Sequence, residues 1–369
     1  MVNFLDMTLS GYTFDIHPAL MRDRIGNPED RSETYDERYD YSTFFYDAYY
    51  DSETREVCLI APSLINFAIL LKKCAFFIDG TEARLISVDR LSRGNLIRLF
   101  SPNPNPEKLK FEHTLFSGEV GINRCYLDEF AGKNAVYAIS KDNDLSWIRD
   151  WLTFYVEEHG LQAVVLFDNE STTYSMEALE KTLTSVPGIE AAAIVRAFFP
   201  FGPGGASNTN YNSKFLHMTM VELGRRKLLL NARAVLNVDI DEIVYSNSGR
   251  TIFDATVSNP KGYLRFNGKW VYADPASIFG LPKHVDHRYV RSDGLPRVNR
   301  KWCVAPQGPL KGKQWRTHRI TSLKDPVSNE FNFWHFRNLT NSWDYDRSDW
   351  DASKMEEDDL LISTLSKVF

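Results

Sequence analysis

The chain has 369 residues, enough for two to three domains of about 150 residues each. Its 43 Lys and Arg against 49 Asp and Glu leave a net charge of −6, which argues against a dedicated nucleic-acid binder with a basic footprint. With 43% hydrophobic and 25% charged residues it is a globular chain, not a disordered one.

The first residues, MVNFLDMTLSGYTF, lack a basic stretch followed by an apolar one, so no signal peptide is expected. Residues 1–40, rich in Asp, Arg and Tyr, read as an irregular lead-in. From Thr43 to about Ser117 the apolar runs are short and rich in strand-forming residues: TFFYDAYY, REVCLIAP, FAILLKKCAFFIDG, ARLISV and NLIRLF. Turn residues such as Asp79-Gly80 separate them, which predicts a small antiparallel β unit. The most apolar stretch, Leu64 to Ile78, is broken by Lys72 and Lys73 and is shorter than the ~20 residues that span a bilayer. Ser101–Pro106 is a proline-rich connector that cannot continue a ladder. The four cysteines, Cys58, Cys74, Cys125 and Cys303, have no metal-ligand spacing, so a reducing compartment is expected. These features together give the expectation of a soluble, cytoplasmic protein.

After Lys133 the rhythm changes. Ala135–Ile139 reads as a buried strand, and Trp147, Ile148, Trp151, Leu152 and Tyr155 fall at helical spacing over 144–158, closed by His159-Gly160. A strand over Leu161–Phe167, a helix over 175–185 and a strand over Ile189–Val195 follow. Then come a glycine-rich loop over Pro200–Asn212, a helix over 212–224 and a strand over Ala234–Val238. Alternation of this kind predicts an open, mostly parallel α/β sheet with helices on both faces.

The chemistry concentrates at strand ends. Asp239-Ile240-Asp241-Glu242 follows the strand Ala234–Val238 directly, and acids at i and i+2 can reach one hard cation. A pair of solvated turn acids is the plain alternative. Two earlier strands end in Lys141-Asp142-Asn143 and in Asp168-Asn169, so three polar strand ends would share one rim, where open α/β sheets bind ligands.

In this order and spacing the chain resembles the GT-A glycosyltransferases, and more narrowly a family 92-like or family 2-like group. The matching stretches are Lys141-Asp142-Asn143 through Trp147 and Trp151, then Phe167-Asp168-Asn169-Glu170-Ser171-Thr172, then Asn237-Val238-Asp239-Ile240-Asp241-Glu242-Ile243. Where that group has Asn-Glu after the lysine this chain has Asp142-Asn143, and Ile243 replaces an aromatic. The chain is expected to divide into three parts: a β-rich N-terminal region over 1–130, a Rossmann-like domain over 131–350 for which the resemblance implies the GT-A fold, and a tail helix over 351–369. The resemblance implies an inverting hexosyltransferase of polysaccharide biosynthesis that takes a nucleotide-diphosphate sugar, a UDP-sugar first, and a glycan or other hydroxyl acceptor. It also implies a Mn²⁺ or Mg²⁺ ion on Asp239 and Asp241, a nucleoside contact from Asp168, and donor contacts from Lys141, Asn169 and Arg196. The stretch Phe331–Arg337, running on to Trp343 and Arg347, is similar to a C-terminal segment that returns a histidine to the metal and diphosphate. His335 is therefore a candidate ligand in competition with His318, and Arg337 a candidate for the leaving phosphates.

Between Lys283 and Arg319 ten Lys and Arg meet only two acids, Asp286 and Asp293, a local net of +8 suited to phosphates or an anionic acceptor. Trp270, Trp302 and Trp315 lie in the same region, and a tryptophan face suits a sugar ring as well as a core. A carboxylate must take the acceptor's proton; Asp286 ranks first, then Asp293 and Asp274. A donor-binding but inactive relative, or a metal-dependent nucleotidyl- or phosphotransferase, remains open, although no GxxxxGK[ST] loop is present. The tail from Met355 turns from acidic to amphipathic, which predicts a capping helix or, alternatively, peripheral docking on a membrane or partner.

Overall fold

In the computed structural model, residues 2–15, 17–203, 213–293, 298–320, 327–340 and 350–369 are described. Most of the loop over Pro200–Asn212, and both Trp343 and Arg347, fall outside them. The chain divides into two compact units, one of residues 1–6, 127–194 and 229–369, the other of 7–126 and 195–228.

The first unit carries the strand–helix alternation. Its helix Leu145–His159 starts where Asp144 accepts the Ser146 N–H, and it ends at Gly160 in the left-handed conformation, φ 67°. Trp147, Ile148, Trp151, Leu152 and Tyr155 are buried along one face of it, against the sheet residues Val136, Val164 and Leu166. Met176–Ser185 is capped in the same way by Ser175. The flanking strands Asn134–Ser140, Ala163–Asp168 and Ala234–Asn237 are almost wholly buried, as strands covered on both faces must be.

Strand order decides where a ligand can bind. Counted along the chain from Asn134, the first four strands of the large sheet (Asn134–Ser140, Ala163–Asp168, Ala191–Arg196, Ala234–Asn237) lie side by side in the order 3-2-1-4. Strand 1 runs parallel to both of its neighbours. The order reverses between strand 1 and strand 4, and the crevice of a doubly wound sheet opens beyond the carboxyl ends at such a switch point. Those ends are Ser140 and Asn237.

Beyond strand 4 the eleven-stranded sheet is antiparallel, through Lys301–Val304 and then Tyr263–Ala273, so it is mixed and not parallel throughout. Glu242–Ser246 leaves this row to pair with Phe331–Phe336, which also runs parallel to Tyr263–Ala273. The C-terminal helix is Asp359–Val368, with Leu361 and Leu365 buried. No helix among the described residues is long and apolar enough to cross a membrane.

Asn3–Thr8 forms an edge strand beside Ala191–Arg196, where an irregular lead-in is expected from sequence. Its six residues, Asn-Phe-Leu-Asp-Met-Thr, lack a clean polar–apolar alternation, and only a partner strand far along the chain makes them a strand.

The second unit holds a five-stranded and a four-stranded sheet, whose strand pairs are antiparallel apart from Asn123–Arg124 with Asp47–Asp51. Phe14, Phe44, Phe45, Phe67 and Phe111 fill its core. Lys227 and Asp47 form a buried ion pair there at 2.7 Å. Glu222 takes both Arg225 and Arg226 on one carboxylate.

Candidate functional site

The switch point is built from three strand-end loops. The first two brace each other: the Asp142 N–H donates to Ser171 Oγ, and Asp142 Oδ1 accepts from the backbone of Thr172 and Thr173. Asp142 pays for this with a φ of 52°. Burial works against its charge, but those backbone N–H groups hold its carboxyl below the usual value. Lys141, beside it, is exposed. Asp168 is fully buried at the end of strand 2, where it accepts from the Ser171 N–H at 3.1 Å and the Tyr174 hydroxyl at 3.4 Å. Asn169 is buried too, with its N–H on the Ser140 carbonyl.

The third loop, at the end of strand 4, gathers most of the charge. Lys301, buried in its own strand, places Nζ 2.6 Å from Asp239 Oδ2 and 2.7 Å from Glu242 Oε2. Asp241 turns to the other side, where Oδ2 accepts from Thr340 Oγ1 at 2.7 Å and lies 3.2 Å from His335 Nε2. The Glu242 carboxylate also accepts the Asp239 N–H at 2.8 Å, closing the turn. Burial, with the neighbouring Asp239 charge adding to it, pushes Glu242 up to about 7 in spite of Lys301. Burial opposes the Lys301 charge, yet Asp239 and Glu242 hold its pKa above the ordinary value.

The cluster sets three carboxylates against one buried lysine, so carboxylate oxygens outnumber the fixed cation there. Carboxylate oxygens suit Mg²⁺ or Mn²⁺. Among the described residues no three His, Cys, Asp or Glu side chains stand as a ready-made metal cage. A magnesium-like ion does not need one, since it commonly takes one or two carboxylates and completes its shell with substrate phosphates. The donor set therefore fits such an ion, with Asp241 and His335 already adjacent and Asp239 on the Lys301 side.

His335 is fixed by its register opposite Glu242 and Trp270 on the two neighbouring strands. Its ring stacks on Trp270 at 3.8 Å, and the Arg337 guanidinium lies 4.3 Å from the centroid of the same indole. His318, by contrast, sits in the hairpin that follows Trp315. Trp302 and Trp315 are core residues, while Trp270 is only half-buried.

The three acids read as candidate bases each hold local structure. Asp286 Oδ2 accepts the Lys283 N–H, Asp274 Oδ1 accepts the Ala276 N–H, and Asp293 is clamped by Arg291 at 2.6 Å. The Asp286 turn is tied to the acid cluster, because His284 bonds the Ile240 carbonyl at 3.0 Å. Arg196 ends its strand in the other unit.

Sequence reasoning passed over Lys301, Thr340 and His284. A lysine opening the apolar strand Lys301–Val304 is the signal that was available for the first of them.

No protein-family model and no curated protein matches the chain. Among solved structures it is similar to the mannosyltransferase Ktr4p from S. cerevisiae in complex with GDP, at 14% identity and TM-score 0.25 over 39% of this chain and 42% of that one. It is also similar to an active-site mutant of LgtC, at 14% identity and TM-score 0.27 over 51% and 60%. Core-mannan synthase A from Aspergillus fumigatus in its Mn/GDP form aligns at 9% identity and TM-score 0.25 over 40% and 44%. The chain thus spans less than two thirds of each of these, and the likenesses are too remote to bear on function.

Proposed function

We propose that the chain is a metal-dependent, inverting glycosyltransferase that moves a sugar from a nucleotide-diphosphate sugar, a UDP-sugar first, to a hydroxyl of a glycan acceptor. The observation that carries this reading is the acid-rich cluster of Asp239, Asp241, Glu242 and Lys301 beyond the carboxyl end of strand 4, at the switch point of a 3-2-1-4 sheet. Asp168, buried at the next rim position but one, is the carboxylate for the nucleoside, with Asn169 and Lys141 beside it; Arg196 is assigned to the donor as well.

Asp239, Asp241 and His335 would hold a Mn²⁺ or Mg²⁺ ion, which when bound supplies positive charge for a leaving diphosphate. Arg337, held against Trp270, adds a cation for the same phosphates. Asp286 is the first choice of base, since its turn is tied to Ile240 through His284. Asp293 is a weaker choice, because the hydrogen bonds from Arg291 hold its carboxyl low and make it a poor proton acceptor. Asp274 stands third.

Calorimetric titration of UDP and GDP with and without Mn²⁺, paired with hydrolysis of UDP-sugars, tests the reading. Binding is expected only with metal and is expected to be lost in Asp241→Asn. If no nucleoside diphosphate binds in the presence of Mn²⁺, the reading fails. Asp286→Asn should abolish transfer and spare donor binding; normal turnover would assign the base to another acid.

A further inference from the structure

Two strands of two residues each, Trp315–Arg316 and Arg319–Ile320, form a tight hairpin in which Arg316 stands directly opposite Arg319. Like charges facing each other across a ladder are destabilising. Neither arginine has an ion-pair partner among the described residues, and Arg316 Nε is buried without a hydrogen-bond acceptor. Burial, and then the Arg319 charge, hold the Arg316 pKa below its ordinary value.

The hairpin is held firmly in place. Trp315 and Ile320 are buried, Trp302 Nε1 donates to the Arg316 carbonyl at 2.8 Å, and Asn237 Nδ2 donates to the Thr317 carbonyl. Asn237 precedes Asp239 by two residues and Trp302 follows Lys301, so both anchors belong to the strands that carry the acid cluster. An opposed, unpaired cation pair is thus fixed beside the site in a region of local charge +8.

We propose that Arg316 and Arg319 form an oxyanion clamp that takes a phosphate group of the substrate. Guanidinium groups suit this task, because their planar donor forks match phosphate oxygens and stay charged when partly buried. The clamp rests on the transferase reading for its substrate, and two sources offer the same chemistry: the diphosphate of the donor and a phosphate carried by the acceptor.

The test uses the full chain. Inorganic phosphate is titrated by calorimetry and thermal shift without divalent metal, and UDP and GDP are titrated with Mn²⁺. The wild-type chain should bind phosphate, and Arg316→Gln with Arg319→Gln should weaken that binding about tenfold or more, while the double lysine variant retains part of it. In anion-free buffer Arg319→Gln should not lower the melting temperature, since it removes an opposed charge, but it should lose most of the shift that phosphate gives the wild type. Arg319 is exposed, so this single variant also serves if the double one does not fold. If the double variant weakens nucleoside diphosphates by the same factor, the clamp serves the donor; if it leaves them unchanged, the clamp serves the acceptor. Absence of phosphate binding in the wild type, or binding undiminished in the double variant, overturns the clamp. Loss of phosphate binding alone leaves the transferase reading standing, whereas failure of metal-dependent nucleotide binding with the phosphate response intact refutes that reading instead.

Discussion

Acidification from about pH 7 to about pH 5 should weaken the site-bearing unit through two buried histidines. His159 and His284 are 2% and 0% exposed, and burial pushes each imidazole down to about 4, although their backbone hydrogen bonds oppose the fall. The geometry agrees with neutral rings. His159 Nε2 lies 2.8 Å from the Val244 carbonyl, and Nδ1 accepts the Ile252 N–H at 3.2 Å, which a protonated ring could not do. His284 donates from Nε2 to Ile240, and its Nδ1 has no partner among the described residues. A proton added there would be buried without an acceptor.

In the unfolded chain both rings titrate near ~6.5, so below that pH the unfolded state takes up protons that the native state refuses. The stabilisation is complete above about 6.5 and is lost as the pH falls towards 4, at about 1.4 kcal/mol per pH unit for each ring. The full effect is about 3 kcal/mol each. Glu242 works in the opposite sense: raised to about 7 when folded, it binds a proton preferentially in the native state as the pH falls. That contribution is shared by wild type and variants and drops out of their difference. Urea unfolding at several pH values checks the argument, with His159→Gln and His284→Gln each keeping a donor for the carbonyl. Each variant should lose about 1.4 kcal/mol per pH unit of slope. A slope identical to wild type would mean that the ring is already charged in the fold.

Lys301→Met should cost about 3–5 kcal/mol in chemical denaturation, because it leaves Asp239 and Glu242 without their buried cation. Tyr155→Phe removes a hydroxyl that accepts the Val244 N–H and donates to the Glu242 carbonyl, both at 3.0 Å, and should cost about 1–3 kcal/mol. A methyl at Gly268 would fall on the Phe333 ring directly opposite it, so Gly268→Ala should destabilise by about 1–3 kcal/mol. Phe333→Leu in that background should recover part of the loss, and an additive loss instead would show that the ring is not what Gly268 accommodates.

What the sequence made legible was local. The helix Leu145–His159 announces itself through Asp144 as cap, a tryptophan-rich face and Gly160 as terminator, all within one window. The acid turn Asp239–Glu242 stands out because it follows an apolar strand at once. What stayed hidden depends on register between distant strands. His335 reaches Asp241 because Phe331–Phe336 slots between Glu242–Ser246 and Tyr263–Ala273, a pairing that no periodicity along Phe331–Arg337 specifies.

Lys301 is the clearest case, since a lysine is read as solvated unless its acids are in view. Here they are supplied by the neighbouring strand's end, and the ladder that sets Lys301 beside them is carried by Leu236 opposite Cys303 and Asn237 opposite Trp302. The basic run between Lys283 and Arg319 likewise divides only in three dimensions. Lys301 is spent on the acids and Arg291 on Asp293, while Arg316 and Arg319 face each other unpaired among the described residues. Net charge along the chain could mark this region as anion-seeking, but only the hairpin register identifies two cations still available for the work.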